Sequence, residues 1–246
     1  MTKPLPKLLR KAPIIEAVAE VRFSSSNGNL ASTVLPGLLF NDLKEQYPAI
    51  QAHPSAQIPS EVKDQNPELR YLPSVVMVGE NSSLNVGGAV LGIVVNKPYP
   101  GWDSFKALIL NVWQVAQKSE LIGSIERFSL KYINLIEAPM DSNQLDCTTV
   151  KLTLGEYVVT SEPTTVRSEL RKGRFITVAS IVTQAQSLGA NAATGLIVDL
   201  DVICNGPFVG SWDEIRTLLE DAHIIEKEVF FNLLTDHTID RYEPEY

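Results

Sequence analysis

Apolar and polar residues alternate from Ile14 to Phe23. Ile15, Ala17, Ala19, Val21 and Phe23 fall on one side and Glu16, Val18, Glu20 and Arg22 on the other, which predicts a strand. A helix is expected over Pro36–Tyr47, with Pro36 in its first turn, Leu39, Leu43 and Tyr47 at helical spacing, and Pro48 as the stop. Pro48, Pro54, Pro59 and Pro67 then stand among polar residues, so 48–67 reads as a long surface loop in preference to a functional flap. Strands are expected near Arg70–Val78 and Leu84–Val95, joined by a turn at Glu80-Asn81. Gly87, Gly88 and Gly92 lie inside the second, in a GGxxxG spacing. No helix follows directly, so a bulged or closely approached strand is read there and not a phosphate cradle.

A second helix is predicted over Asp103–Lys118, with Phe105, Leu108, Ile109, Val112 and Ala116 as its apolar stripe. Ser124–Glu137 reads as a long strand, Phe128, Leu130 and Tyr132 on one face and Arg127, Ser129, Lys131 and Ile133 on the other. Further strands are expected at Thr148–Thr160, Val166–Arg171, Phe175–Gln184 and Gly195–Cys204, with a tight hairpin at Lys172-Gly173. A last helix, Asp213–Leu234, carries Ile215, Leu218, Ala222, Ile225, Val229 and Leu233 as one stripe.

These elements predict an α+β fold of long antiparallel strands with helices packed on one face. The expected division is an N-terminal α+β half, 1–138, and a C-terminal antiparallel-sheet half, 139–246, ending in the long helix. The alternative is one continuous curved sheet gripping that helix. The two differ in whether strands of both halves hydrogen-bond to each other. Residues 101–108 (GWDSFKAL) echo residues 211–218 (SWDEIRTL), each with a Trp before an Asp able to cap a helix. The echo reads either as chance capping chemistry or as two similar halves.

Composition narrows the function. Apolar residues make up 44% and charged residues 20%, an ordinary globular balance. The net charge of −8 opposes the counterion displacement that phosphate backbones require, so no nucleic-acid partner is expected. Basic residues are not interleaved with Trp102, Trp113 and Trp212, which read as packing residues. No apolar run approaches the length of a membrane span, so no membrane partner is expected. The leader, with Lys3, Lys7, Arg10 and Lys11, lacks a signal-peptide core and reads as a frayed arm. Cys147 and Cys204 share no CxxC spacing and read as free buried thiols in a cytoplasmic protein.

Candidate chemistry is sparse. Asp199 and Asp201 alternate on one strand and are the weak candidates for a divalent cation. The competing reading is a cross-strand charge ladder with Arg167, Glu169 and Arg171 nearby, and that reading is preferred. Glu16, Glu20 and Arg22, with Arg127 and Lys131 on another strand and Asn134 beside them, form a polar face. It is either solvated or the floor of an anion-binding groove. His53, His223 and His237 have no zinc spacing, and no nucleophile or P-loop motif occurs. No cofactor, metal or catalytic residue is therefore assigned.

Several segments together carry a resemblance. They are Pro13–Val18 with Glu20, Val21, Arg22 and Phe23; Tyr99–Phe105; Arg127–Asn134; Asp199–Val202; and the last helix from Leu218 to Asp236 with His223 and Phe230. The chain resembles a sporadically distributed bacterial family of uncharacterised proteins of about this length. The resemblance runs nearly end to end and is weakest at 48–67. It implies a bacterial cytosolic protein of unknown function. Sporadic occurrence points to a defence, toxin-control or mobile-element locus. The family pattern has Arg where this chain has Lys131, and an ammonium replaces a guanidinium fork poorly at a planar anion. Two functions follow as expectations. The preferred one is a non-enzymatic protein-binding module, with a protein partner or self-association. The alternative is a small anionic-ligand binder or enzyme using the strand face around Arg127 and Lys131.

Overall fold

The computed structural model describes residues 4–25, 30–59, 62, 65–187, 192–208 and 211–246. Thirteen strands and four α-helices are described. The strands are β1 (Leu8–Leu9), β2 (Ile14–Ser25), β3 (Ala49–Ala52), β4 (Val75–Val78), β5 (Ser82–Val86), β6 (Val90–Asn96), β7 (Ile122–Glu137), β8 (Thr153–Leu154), β9 (Tyr157–Val158), β10 (Thr165–Lys172), β11 (Phe175–Gln186), β12 (Thr194–Asn205) and β13 (Pro244–Glu245). The helices are α1 (Leu30–Leu43), α2 (Trp102–Lys118), α3 (Trp212–Leu233) and α4 (Asp236–Asp240). The fold is α+β, with helices packed against a nine-stranded antiparallel sheet.

The sheet runs in the order β10-β11-β12-β7-β2-β6-β5-β4-β3. β7, from the N-terminal half, and β12, from the C-terminal half, are neighbours in it, so strands of the two halves of the chain do share one sheet. Two paths through it are alike. From β2 the sheet steps outward to β6, β5 and β4, and from β7 it steps outward to β12, β11 and β10. After each inner path the chain passes a turn holding Pro98 or Pro207 and enters a long helix, α2 or α3.

The described chain gathers into two compact units. One holds Met1–Ile15, Lys131–Val202 and Ala222–Tyr246, and the other Glu16–Leu130 and Ile203–Asp221. In the first, the core is built by alternate residues of β12 (Leu196, Val198, Leu200), with Ile181 and Phe230. At Gly195 a Cβ would meet the Ile136 carbonyl oxygen at 2.1 Å, so only glycine fits there. In the second, Ala17, Ala19, Val21 and Phe23 of β2 are fully buried, as are Phe105, Ile109, Val112 and Trp113 of α2.

Most expected elements are present, and the departures have local causes. α1 begins at Leu30 and ends at Leu43, so Pro36 lies inside it and not in its first turn. Among the described residues of 48–67 are β3, the 3-10 turn Pro54–Gln57 and helical backbone at Val62 and Gln65, and residues 60, 61, 63 and 64 lie outside the described residues. Arg70 and Tyr71 belong to a 3-10 turn, Leu69–Tyr71, and the strand starts only at Val75. The expected strand Leu84–Val95 is a hairpin: Gly87 and Gly88 turn the chain between β5 and β6, while Gly92 sits within β6 opposite Asn85. The expected strand Thr148–Thr160 is likewise split into the hairpin β8–β9, with Gly155 at φ +62°. The residue before α2 is Gly101, at φ +89°, and Asp103 lies in the first turn without capping it. Asp213 lies in the first turn of α3 and pairs with Arg216 at 2.8 Å. The leader is anchored: β1 pairs with β13, and Arg10 and Lys11 meet Glu245 and Glu243 at 2.5 and 2.6 Å. Lys3 lies outside the described residues.

Candidate functional site

The polar face expected on β2 is present in the second unit. Burial of the odd residues of β2 leaves Glu20 and Arg22 on its half-buried side, where they pair at 2.8 Å. On β7 the alternation slips, because Glu126 and Arg127 are consecutive half-buried residues. Glu126 thereby reaches Arg70, whose Nη2 donates to both carboxylate oxygens at 2.8 Å. The Tyr71 hydroxyl donates to the same carboxylate at 2.7 Å. The Tyr71 ring lies between two guanidinium groups, Arg22 at 4.6 Å and Arg70 at 4.7 Å from its centroid. Burial first, then the bond to Glu126, raises the Tyr71 phenol above its ordinary pKa.

This cluster holds two guanidinium groups and two carboxylates, so its charges offset one another. The charge-assisted contact of one Arg70 nitrogen with both Glu126 oxygens, together with cation–π stacking, makes it a clamp that fastens the turn Leu69–Tyr71 to the sheet. Arg127, close by in sequence, donates from Nη2 to Ser129 at 3.4 Å. Glu16 sits opposite Asn96 in the β2–β6 ladder.

The remaining candidates lie in the first unit. Lys131 and Asp199 form an ion pair at 3.1 Å. Asp199 therefore takes part in a cross-strand charge pair, and among the described residues no group of three His, Cys, Asp or Glu side chains is placed to hold a metal ion. Asp201 is half-buried on the same side of β12. Asn134 is on the opposite side of β7 from Lys131: it is 2% exposed and donates to the Val198 carbonyl at 3.3 Å. Tyr132 is also buried, with its ring against His223 at 6.2 Å. The structure thus brings Glu20 and Arg22 together, and Lys131 with Asp199, while Asn134 serves the core.

Sequence reasoning passed over three further features. Arg70, Tyr71 and Glu126 complete the polar cluster, yet Arg70 and Tyr71 read as strand residues 55 places or more from Glu126. Glu226 on α3 is 6% exposed; its spacing from Ala222 and Val229, four and three residues, was the available signal. Burial pushes its carboxyl up to about 8. The hairpin β8–β9 exposes Leu154, Tyr157 and Val158 at 65%, 55% and 62%. The Val159 amide closes the base of the hairpin on the Leu152 carbonyl at 3.0 Å, the Tyr157 hydroxyl donates to Glu162, and the Val159 side chain is buried in the core.

His53 caps the 3-10 turn Pro54–Gln57 through Ser55. Trp113 and Trp212 are buried with ring centroids 6.1 Å apart. Trp102 hydrogen-bonds Glu220, which also pairs with Lys106 at 2.5 Å. Both cysteines are free; Cys204 is buried as expected, whereas Cys147 is only half-buried. Among the described residues no helix is long and apolar enough to cross a membrane. No family model and no curated protein matches the chain.

Proposed function

We propose that the chain is a protein-interaction module that docks a partner on the β8–β9 hairpin. The observation that carries this reading is the exposure of Leu154, Tyr157 and Val158, three large apolar side chains on one short hairpin. Leu154 and Tyr157 share one face of the hairpin and Val158 stands on the other, opposite Thr153, so the hairpin offers apolar side chains on both faces, which is uncommon on a protein that meets only water. Covering each side chain would release roughly 1 kcal/mol, since each is already partly shielded. Leu154 and Tyr157 face each other across the hairpin, which gives the patch a fixed shape at low entropic cost. The expected setting is a bacterial defence, toxin-control or mobile-element locus, and the partner's gene is sought next to this one.

The alternative, an anionic-ligand binder at Arg127 and Lys131, has less support. Lys131 is already engaged by Asp199, and Arg22 and Arg70 are balanced by Glu20 and Glu126. An incoming anion would have to displace a carboxylate at each of these cations.

The test is capture from the native host with the tagged full-length chain and with the double variant Leu154→Lys/Val158→Lys. Wild type is expected to retain a stoichiometric protein that the variant loses, both melting at the same temperature. Equal retention by the two, or no stoichiometric partner with either, overturns the hairpin as the docking surface.

A further inference from the structure

β10 ends the nine-stranded sheet, and both of its faces are open: of Thr165–Lys172 only Val166 is half-buried. Its inner side is paired with β11 in the register Thr165↔Val182 through Lys172↔Phe175. One step beyond that register, Thr183 donates its amide to the Thr164 carbonyl at 3.0 Å. Hydrogen-bonded pairs in an antiparallel ladder recur at every second residue. Val166, Ser168, Leu170 and Lys172 therefore turn their main-chain groups toward β11. Thr165, Arg167, Glu169 and Arg171 turn theirs outward, to the free edge.

Exposed edges are usually protected by charges that repel another strand. The charges of β10 do the reverse, because they alternate in sign in a self-complementary order. We infer that the partner of this edge is a second copy of the chain, whose β10 lies antiparallel to the first with Ser168 opposite Ser168 on a two-fold axis. In that register Arg167 of each copy faces Glu169 of the other. Val166 faces Leu170, and Thr165 faces Arg171. Every outward-turned residue is then paired, so each copy donates four main-chain hydrogen bonds and accepts four.

Charge selects this register over its neighbours. A slide of two residues one way sets Arg167 against Arg167. The same slide the other way sets Glu169 against Glu169 and Arg167 against Arg171. A slide of one residue points the free amides at residues whose groups are already bonded to β11. Directly opposed like charges destabilise a strand pair, and opposite charges stabilise it. Within one copy, Arg167 and Glu169 approach only to 3.6 Å and are well exposed, so little is lost when each turns to the other copy. Val166 and the exposed Leu170 gain cover from each other on the opposite face. The pairing is isologous and closes as a dimer, which leaves no free β10 edge for further growth.

The inference rests on the reading that the chain acts by binding protein, and it names one such partner and the surface used. Two experiments on the full chain test it. The first replaces Cys147 and Cys204 and introduces Ser168→Cys. Mild oxidation is expected to give a covalent dimer, since non-hydrogen-bonded antiparallel pairs bring Cα atoms to about 4.5 Å. Val166→Cys and Leu170→Cys are expected to form no covalent dimer under oxidation when alone and to cross-link when mixed. The second measures sedimentation of charge variants whose far-ultraviolet circular dichroism matches wild type. Arg167→Glu and Glu169→Arg are each expected to weaken the dimer by roughly tenfold or more, about 1.4 kcal/mol. An equimolar mixture of the two restores it as a heterodimer, because every like-charged pair becomes an opposite one. A wild-type chain that stays monomeric at its highest soluble concentration overturns the inference, as does a dimer that neither charge variant weakens. A monomer that still captures a host protein through the hairpin removes self-pairing alone. A dimer that captures none removes the hairpin reading alone.

Discussion

Glu226 shows how one side chain can oppose the fold that holds it. It lies on α3 between Ala222 and Phe230, both buried, where an apolar residue would be ordinary. Desolvation holds its folded-state pKa at about 8, while Lys227, itself lowered by burial, pulls the other way and loses. The sign of the linkage follows. Above about pH 4.3 the unfolded chain releases this proton, while the native chain keeps it until about 8. Glu226 therefore costs no stability at low pH. Its cost grows as pH rises from about 4.3 to 8 and is constant beyond, at roughly 3–5 kcal/mol. Glu226→Gln cannot ionise and keeps nearly the same shape. It is expected to match wild type near pH 4 and to exceed it increasingly toward pH 8, read from urea denaturation at several pH values. A stability gap that does not change with pH would mean that Glu226 ionises inside the native protein without penalty.

At the scale of elements, strict alternation served well where strands are regular and failed where a residue breaks the period. β2, β11 and β12 were legible because their buried residues recur at every second position, and β7 because Phe128, Leu130 and Tyr132 do so at its centre. The split of Leu84–Val95 was not, because Gly87 and Gly88 are equally compatible with a bulge and a turn. The same holds for Thr148–Thr160, where Gly155 reverses a chain that composition alone would continue. The candidate site suffered in the same way. Glu20 and Arg22 were legible on the polar side of β2. Glu126 was not, since the slip at Glu126–Arg127 returns it to a side that alternation denies it. Arg70 and Tyr71 join only through the tertiary structure. The clamp they form predicts how the turn Leu69–Tyr71 is held. In a double-mutant cycle, Arg70→Ala and Glu126→Ala are expected to couple by roughly 0.5–2 kcal/mol, above a simple surface pair because Glu126 also receives Tyr71. Hydrogen exchange at Leu72 and Ser74 should rise in either variant. Unchanged protection there would leave the clamp as surface decoration.

For the whole molecule, the two like paths through the sheet are more telling than the short echo at Trp102-Asp103 and Trp212-Asp213. β2 is extended by β6, β5 and β4, all within 14–96, and β7 by β12, β11 and β10, all within 122–205, so each set is drawn from one stretch of the chain. A long helix follows in both. If each half closes its own strands, the order in which the halves occur along the chain is dispensable. The ends of the chain permit that to be tried, because Leu8–Leu9 and Pro244–Glu245 are paired strands and the Lys7 amide donates to the Glu245 carbonyl. A short flexible linker from Tyr246 to Leu5 can therefore join them. New termini fit between Glu120 and Leu121, in the turn that separates α2 from β7. The cut removes no buried side chain other than Leu121 from its covalent neighbour, and openings at turns are the best tolerated. The permuted chain, beginning at Leu121 and ending at Glu120, is expected to be soluble. It should unfold in one cooperative step and keep the wild-type far-ultraviolet spectrum, with a stability loss of about 1–2 kcal/mol from the broken turn. An insoluble product, or a broad non-cooperative melt, would show that β2 and β7 find each other only when the first half is made ahead of the second.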